Sequence, residues 1–290
     1  MCRFVLYLGR PIHLSSLLTE PENSLIRQSF DSRERDEPLN GDGFGVAWYA
    51  PDATSEAVVF RSITPAWSNQ NLARLAGAIR SSCVLAHVRA ASTGLAVTEL
   101  NTHPFVFGPY AFMHNGELAG YHKHRRSILD ALDGPYYDLI EGTTDSECLF
   151  AYALQYLERN ESATGAQMAI ALERSIGTLL AQLESHGVQS PSYVNAALSN
   201  GREAVVCRYT NARLDSAPSL HLHTGKLYTC RSGIPKLIEA HEDEHSVIVA
   251  SESLTDDSSW RVVPANHIVI IDARRQIVLR GIDVGWSAAG

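Results

Sequence analysis

Two apolar stripes in the middle of the chain, with strand-like runs on both sides of them, most restrict what it can fold into. The first follows Thr144-Asp145-Ser146-Glu147, and Leu149, Phe150, Ala153, Leu154 and Leu157 lie along one helical face. Thr144 with Glu147 three residues later reads as a capping box at that helix's start. The second stripe covers about 165 to 185, with Leu172, Ile176, Leu179, Leu180 and Leu183 at the same spacing. Before them, β-branched, aromatic and aliphatic runs predict strands over 2–8 (stopped by Gly9-Arg10-Pro11), 46–49, 57–63 and 83–88. A hairpin is expected over 105–107 and 110–113, turning at Gly108-Pro109. Helical spacing marks a short helix around Leu14 to Leu18 and longer ones over 69–79 and 123–132, whereas 29–39 is charged and carries Pro38, a loop.

From Val194 onward the chain reads almost entirely as strands: 194–198, 204–209, 220–223, 226–230, 247–250, 267–272 and 276–280. Strands, then helices, then strands imply helices stacked on mostly antiparallel sheets, an α+β arrangement. No linker, repeat or low-complexity segment interrupts residues 1–290, which predicts one domain.

Charge and cysteine usage narrow the function classes. Asp and Glu outnumber Lys and Arg by 32 to 24, a net charge of −8, and the longest basic run is His122 to Arg126. That argues against a nucleic-acid partner. The five cysteines form no CxxC pair, which fits a reducing compartment and speaks against disulfides and zinc ribbons. No secretory leader and no run near eighteen apolar residues is visible, so a cytoplasmic protein without a membrane span is expected.

Cys2, directly after Met1, is the sharpest chemical signal. Removal of Met1 leaves a thiol and a free α-amine on one residue. The amine pKa is about 7.7–8.0 and the thiol's about 8.5, so the amine can take the thiol proton near neutral pH. Nucleophiles activated by their own terminal amine are an established catalytic class. The plain alternative is an ordinary buried first-strand cysteine.

Four further elements sit at predicted strand or helix ends. Arg89 ends a strand and offers a fork suited to a carboxylate, or simply caps the strand at the surface. In His114-Asn115-Gly116-Glu117, the Asn115 amide and the Gly116 N–H suit an oxyanion, while Asn-Gly taken alone reads as a hairpin turn. His114 is carried as a substrate-binding candidate against the reading of a satisfied core histidine, the reading also given to His87 and His103. Asp145, in a helix's first turn, can accept an ammonium or merely answer the helix dipole. Asn40 to Gly45 has three glycines ahead of a strand and is no dinucleotide fingerprint; it reads as a loop near a ligand or a hairpin entry. No histidine or cysteine spacing calls for a metal, and no cofactor is expected. Together the candidates supply a nucleophile, a base, oxyanion donors, a carboxylate clamp and an ammonium acceptor, a set suited to the side-chain amide of an α-amino acid.

Met-Cys-Arg-Phe at the start, Asn-Gly-Asp-Gly-Phe-Gly, Ala-His-Val-Arg-Ala, Asn-Thr-His-Pro-Phe, Phe-Met-His-Asn-Gly-Glu and Thr-Thr-Asp-Ser-Glu resemble the class II, N-terminal nucleophile glutamine amidotransferases. Val249 to Leu254 and Trp260 to Pro264 are similar to one branch, which holds the γ-glutamyl hydrolase of ergothioneine biosynthesis and the amidotransferase-like subunit of fungal glutathione degradation. The stretches 28–33 and 63–72 look more like the latter. The resemblance implies a four-layer αββα sandwich with a mature chain from Cys2. It implies Cys2 as nucleophile, Asn115 and Gly116 as oxyanion hole, Arg89 on the substrate α-carboxylate and Asp145 on its α-ammonium. The implied reaction is hydrolysis of a γ-glutamyl amide: glutamine, glutathione or a γ-glutamyl-hercynylcysteine conjugate. The alternative is a glutaminase subunit passing ammonia to a partner; a peptidase or synthetase subunit is the expected kind of protein partner. Where many amidotransferases carry Thr-His-Gly after the arginine motif, this chain has Ala91-Ser92-Thr93-Gly94.

Overall fold

The computed structural model describes residues 2–34, 39–91, 94–158, 160, 162–231, 234–238 and 245–284. Met1, on which the expected processing turns, and Ser92-Thr93 lie outside the described residues. Strands in chain order are β1 (Arg3–His13), β2 (Phe44–Trp48), β3 (Val58–Ser62), β4 (Arg80–Val88), β5 (Phe105–Phe107), β6 (Tyr110–Glu117), β7 (Tyr193–Ser199) and β8 (Ala204–Thr210). They continue as β9 (His221–Arg231), β10 (Ile234–Ile238), β11 (Ser246–Ala250), β12 (Arg261–Val262), β13 (His267–Ile271) and β14 (Ile277–Gly281). The helices are α1 (Ser15–Leu18), α2 (Leu25–Phe30), α3 (Gln70–Ala78), α4 (Tyr121–Leu129), α5 (Gly134–Tyr137), α6 (Asp145–Tyr156) and α7 (Gly165–Ser185).

Two antiparallel sheets stack. One runs β10-β9-β11-β1-β4-β2-β3 with β12 on β9, the other β14-β13-β8-β7-β6-β5. Strand alternation sorts the side chains into three apolar layers. Phe4, Leu6 and Leu8 of β1 meet Ala111 and Met113 of β6 between the sheets. Val5 and Tyr7 face the other way, against Leu17, Leu18, Leu25, Leu72 and Ala76 of α1, α2 and α3. Tyr110 and Phe112 of β6 pack under α4, α6 and α7 with Ile128, Phe150, Leu172 and Leu179. A strand buried on both faces has no polar side to present, which is why Phe4 to Leu8 of β1 is an unbroken apolar run. The result is the expected αββα sandwich.

Several local expectations are corrected. The first strand does not stop at Gly9-Arg10-Pro11; β1 continues to His13, with its register to β4 shifting between Leu8 and Ile12, so Pro11 falls where the ladder is already irregular. Residues 29–30, read as loop, belong to α2, whose start the Ser24 hydroxyl caps by accepting from the Arg27 N–H at 3.3 Å; 35–38 lie outside the described residues. The Asn-Gly turn is not formed: β6 runs on to Glu117 because β7 pairs along it, with Asn115 opposite Asn195. The runs 220–223 and 226–230 are one strand, β9, and the short β10 and β12 went unread. Only half of the box at Thr144 exists. The Thr144 hydroxyl accepts from the Glu147 N–H at 3.2 Å, but the Glu147 carboxylate turns back to the Glu141 and Gly142 amides at 2.9 and 2.8 Å. A reciprocal box occurs instead at Thr164 and Gln167, opening α7.

Candidate active site

Alternation places Cys2, one residue before β1, on the face of the first sheet that looks at the second, in parity with Phe4 and Leu6. Asn115 has the parity of Ala111 and Met113 and looks back from the second sheet. Nucleophile and oxyanion candidates therefore come from opposed sheet faces. The Ala90 N–H donates to Cys2 Sγ at 3.4 Å, and the thiol lies 3.5 Å from the Ala90 carbonyl oxygen. Burial pushes Cys83, Cys148 and Cys207 up to about 12. Of these cysteines and Cys2, only Cys2 is partly open to solvent.

A cleft of about 530 Å³ opens at Cys2, walled by Asp42, Arg89, Asn101, His103, His114, Gly116, Asp145 and Tyr193 among others. Arg89 lies just past β4, where hydrogen bonds from the Asp42 N–H to the Arg89 carbonyl (3.0 Å) and from the Arg89 N–H to the Gly43 carbonyl (2.8 Å) carry the ladder beyond the strands. Its Nη2 donates to the Ala96 carbonyl at 3.2 Å; its Nη1 is buried without a partner. Burial lowers the guanidinium pKa, opposed by Cys2 and Asp42, without removing its charge in any ordinary pH range.

Asp145 begins α6 and is 8% exposed. Its Oδ2 accepts the Leu118 N–H at 2.7 Å and its Oδ1 the Ser146 N–H at 2.8 Å. A carboxylate has about four acceptor sites, so capacity remains for an ammonium. Phe150, one turn on, stacks on Phe112 of β6 with ring centres 5.3 Å apart, docking the helix on the strand that carries Asn115 and Gly116.

Asn115 is fully buried and both its amide atoms lack a protein partner. It is not itself part of the cleft wall, which its neighbours His114 and Gly116 supply. A Cβ on Gly116 would collide with the Tyr193 carbonyl oxygen and the His114 ring, so only glycine fits. His114 reaches the wall but has both ring nitrogens engaged. Its Nε2–H must donate to the Tyr193 carbonyl (3.2 Å), and Nδ1 lies 2.9 Å from the Ser146 hydroxyl, which also reaches Asp145 Oδ1 at 3.3 Å. Burial lowers its pKa against the pull of Asp145. His87 and His103 are core residues, but not satisfied ones. His87 holds only the His114 carbonyl, at 3.2 Å, leaving Nδ1 unpartnered, and neither nitrogen of His103 has a partner. Their setting is the space between the sheets, where the two rings lie tilted at 36° with centres 4.3 Å apart and His103 edges onto the cleft. Desolvation drives His87 down to about 3 and His103 well below the usual histidine range, so both are neutral.

Sequence reading missed Asp42, Asn101, Ser146 and Tyr193. Asp42, Asn101 and Ser146 sit inside the amidotransferase-like motifs, which is the signal that could have singled them out; Tyr193 carries none. Among the described residues no cluster of His, Cys, Asp or Glu could hold a metal ion, and no helix is long and apolar enough to cross a membrane.

Residues 17–280 match the family model of the class II glutamine amidotransferases. The chain is 37% identical over 300 residues to the probable glutamine amidotransferase DUG3 of Saccharomyces cerevisiae, an alignment spanning 96% of this chain and 83% of that protein. It is 27% identical over 270 residues to the gamma-glutamyl-hercynylcysteine sulfoxide hydrolase of Mycolicibacterium smegmatis, spanning 93% and 95%. The solved glutamine aminotransferase class-II domain protein of Silicibacter pomeroyi superimposes with a TM-score of 0.66 at 26% identity, over 97% of this chain and all of that one. The PRPP amidotransferase of B. subtilis shares the fold alone, with a TM-score of 0.61 at 13% identity over 97% of this chain and 49% of that one. Fold, family match and relatives agree: this chain is an enzyme belonging to the class II glutamine amidotransferases.

Proposed function

We propose that the protein hydrolyses a γ-glutamyl amide bond through a thioester on Cys2. One observation carries the reading: Cys2, Arg89, Gly116 and Asp145 line the same cleft of about 530 Å³. In this reading Arg89 receives the substrate α-carboxylate on its unpartnered Nη1 and Asp145 its α-ammonium, which fixes where the γ-carbonyl lies. The α-amine of Cys2, freed by removal of Met1, takes the thiol proton as Sγ bonds to the γ-carbon. The Asn115 amide and Gly116 N–H hold the oxyanion, each such donor lowering the barrier by about 2.7–4 kcal/mol. The C–N bond then breaks, and the leaving amine takes the proton from the α-ammonium of Cys2. Water attacks the thioester, gives its proton to the α-amine, and glutamate departs as the thiol is restored. His114, with both nitrogens engaged, acts on the substrate side by shaping the wall.

Substrates of this chemistry are γ-glutamyl thiol conjugates such as glutathione or γ-glutamyl-hercynylcysteine sulfoxide, and glutamine, in a cytoplasmic setting. The test is glutamate release from each by purified protein whose intact mass lacks Met1. Turnover of at least one conjugate without a partner is expected. No release from any of them would overturn the reading, and release from glutamine only with a second protein present would replace it with an ammonia-donating subunit.

A further inference from the structure

Behind the sheet that carries Cys2, on the face away from the cleft, lies a buried ion pair. Arg3 follows the nucleophile in sequence but has the parity of Val5 and Tyr7, so its side chain turns toward α2. It is 2% exposed and Glu252, just beyond β11, 1%. Arg3 Nε meets Glu252 Oε1 at 2.7 Å. Arg3 Nη1 donates to the Cys2 carbonyl at 3.0 Å and Nη2 to the Glu34 carbonyl at 3.1 Å. The Glu252 carboxylate also accepts the Arg33 N–H at 3.0 Å, the Glu34 N–H at 3.3 Å and the Asn23 amide at 3.5 Å. Neither Arg3 nor Glu252 lines the cleft.

A structural ion pair can be replaced by apolar packing at little cost. Here the guanidinium does something apolar packing cannot, since one of its forks grips the carbonyl of the residue bearing thiol and amine. We propose that Glu252 is a positioning residue for catalysis. Through Arg3 it fixes the Cys2 carbonyl, and with it the orientation of the α-nitrogen and Sγ, and it cancels the Arg3 charge next to that amine and thiol. The inference rests on Cys2 being the nucleophile. A carbonyl held by an Arg3 that Glu252 itself anchors lets the thiol wait in attack geometry rather than sample other rotamers, which contributes to kcat and leaves substrate affinity alone. The charge part has a definite sign. Without the Glu252 carboxylate, a net positive Arg3 favours the Cys2 thiolate and disfavours its ammonium, so both titrate at lower pH. The other ionisable groups facing Cys2 are Asp42, Arg89, Glu117, Asp145, His103 and His114 on the cleft side; Glu34, with His221 3.0 Å from its carboxylate, lies on the Arg3 side. All remain in a Glu252 variant.

Glu252→Gln keeps the shape and the acceptor facing Arg3 but removes the charge and turns an NH2 toward the Arg33 and Asn23 donors; Arg3→Lys keeps the charge but cannot span Glu252 and the Cys2 carbonyl together. Both are compared with native and Cys2→Ala protein, using kinetics on γ-glutamyl-p-nitroanilide and the pH dependence of iodoacetamide labelling of Cys2. Expected for Glu252→Gln is a kcat lowered about tenfold or more with KM within about twofold. Its acid limb of labelling should move down by about half a pH unit or more. Arg3→Lys should lose kcat with a limb close to native, and it decides the matter if Glu252→Gln does not fold. Native kcat in a folded Glu252→Gln or Arg3→Lys protein, while Cys2→Ala is dead, overturns this inference alone. Activity in Cys2→Ala overturns the nucleophile assignment instead.

Discussion

Arg89 and Asn101 donate to one acceptor, the Ala96 carbonyl oxygen, at 3.2 and 3.1 Å. Asn101 also donates to the Thr143 hydroxyl and accepts the Thr143 N–H at 2.8 Å, two residues ahead of Asp145. A single buried amide thus joins the proposed carboxylate clamp to the proposed ammonium acceptor. In the proposed reading, Asn101 therefore sets the spacing between the two groups that would take the ends of an α-amino acid. Asn101→Ala should raise KM for γ-glutamyl-p-nitroanilide about tenfold, with kcat within a few fold, as expected for loss of a hydrogen bond in a buried polar network worth about 1–3 kcal/mol. Arg89→Ala should raise KM by more. An unchanged KM in either variant removes that residue from binding.

Cys2→Ala should abolish turnover by about 10⁴-fold or more while circular dichroism and thermal midpoint stay close to native, since the residue lies ahead of β1 and is only partly buried. Labelling with iodoacetamide at pH 8 should mark Cys2 far ahead of Cys83, Cys148 and Cys207, whose thiols burial holds near 12. Equal labelling of a buried cysteine in folded protein contradicts that ordering.

At Gly116 no side chain has room. Gly116→Ala sets a methyl against the Tyr193 carbonyl oxygen and the His114 ring, so β6 and β7 must part at their cleft end. The cost of such overpacking is about 1–3 kcal/mol. The proposed oxyanion N–H would be displaced with it. A lowered urea midpoint together with a hundredfold or larger loss of kcat is the expected pair of readings; native kcat in this variant is incompatible with an oxyanion N–H at Gly116.

His87 makes stability depend on pH. Burial is the main cause of its folded-state pKa of about 3, with the bond to the His114 carbonyl opposing, whereas the unfolded chain titrates at about 6.5. Between those values the unfolded chain binds a proton that the folded protein refuses. Stability is therefore fully present above about pH 6.5 and falls as the medium acidifies toward 3, with a limiting slope of about 1.4 kcal/mol per pH unit from this group. Urea unfolding of native protein and His87→Gln at pH 7, 6 and 5 should show a shallower acid loss in the variant. Parallel losses would mean that His87 is already protonated in the folded state.

Thr144→Ala removes the hydroxyl that accepts the Glu147 N–H and should cost about 1 kcal/mol of stability. Because Asp145 is the next residue, KM should rise as well, whereas a cap lost at Thr164, which opens α7, should lower stability and leave KM alone.

The local rules of the chain settled a great deal. Helical and strand periodicity predicted α7 and most of the strands, and Cys2, Arg89, Asn115, Gly116 and Asp145 were singled out as residue types at element ends. Periodicity fails where a partner strand overrides a local preference, as when β7 keeps Asn115-Gly116 extended instead of turning. Spacing along the chain carries no information about which sheet face opposes which, because that depends on how three apolar layers close upon one another. Only packing put Cys2 and Asn115 on facing sheets, bent the Glu147 carboxylate away from its expected box, and made one amide at Asn101 serve both Arg89 and the start of α6. Packing also carried Glu252, distant from Cys2 in sequence, behind Cys2, where Arg3 and the N–H groups of Asn23, Arg33 and Glu34 together meet its buried charge.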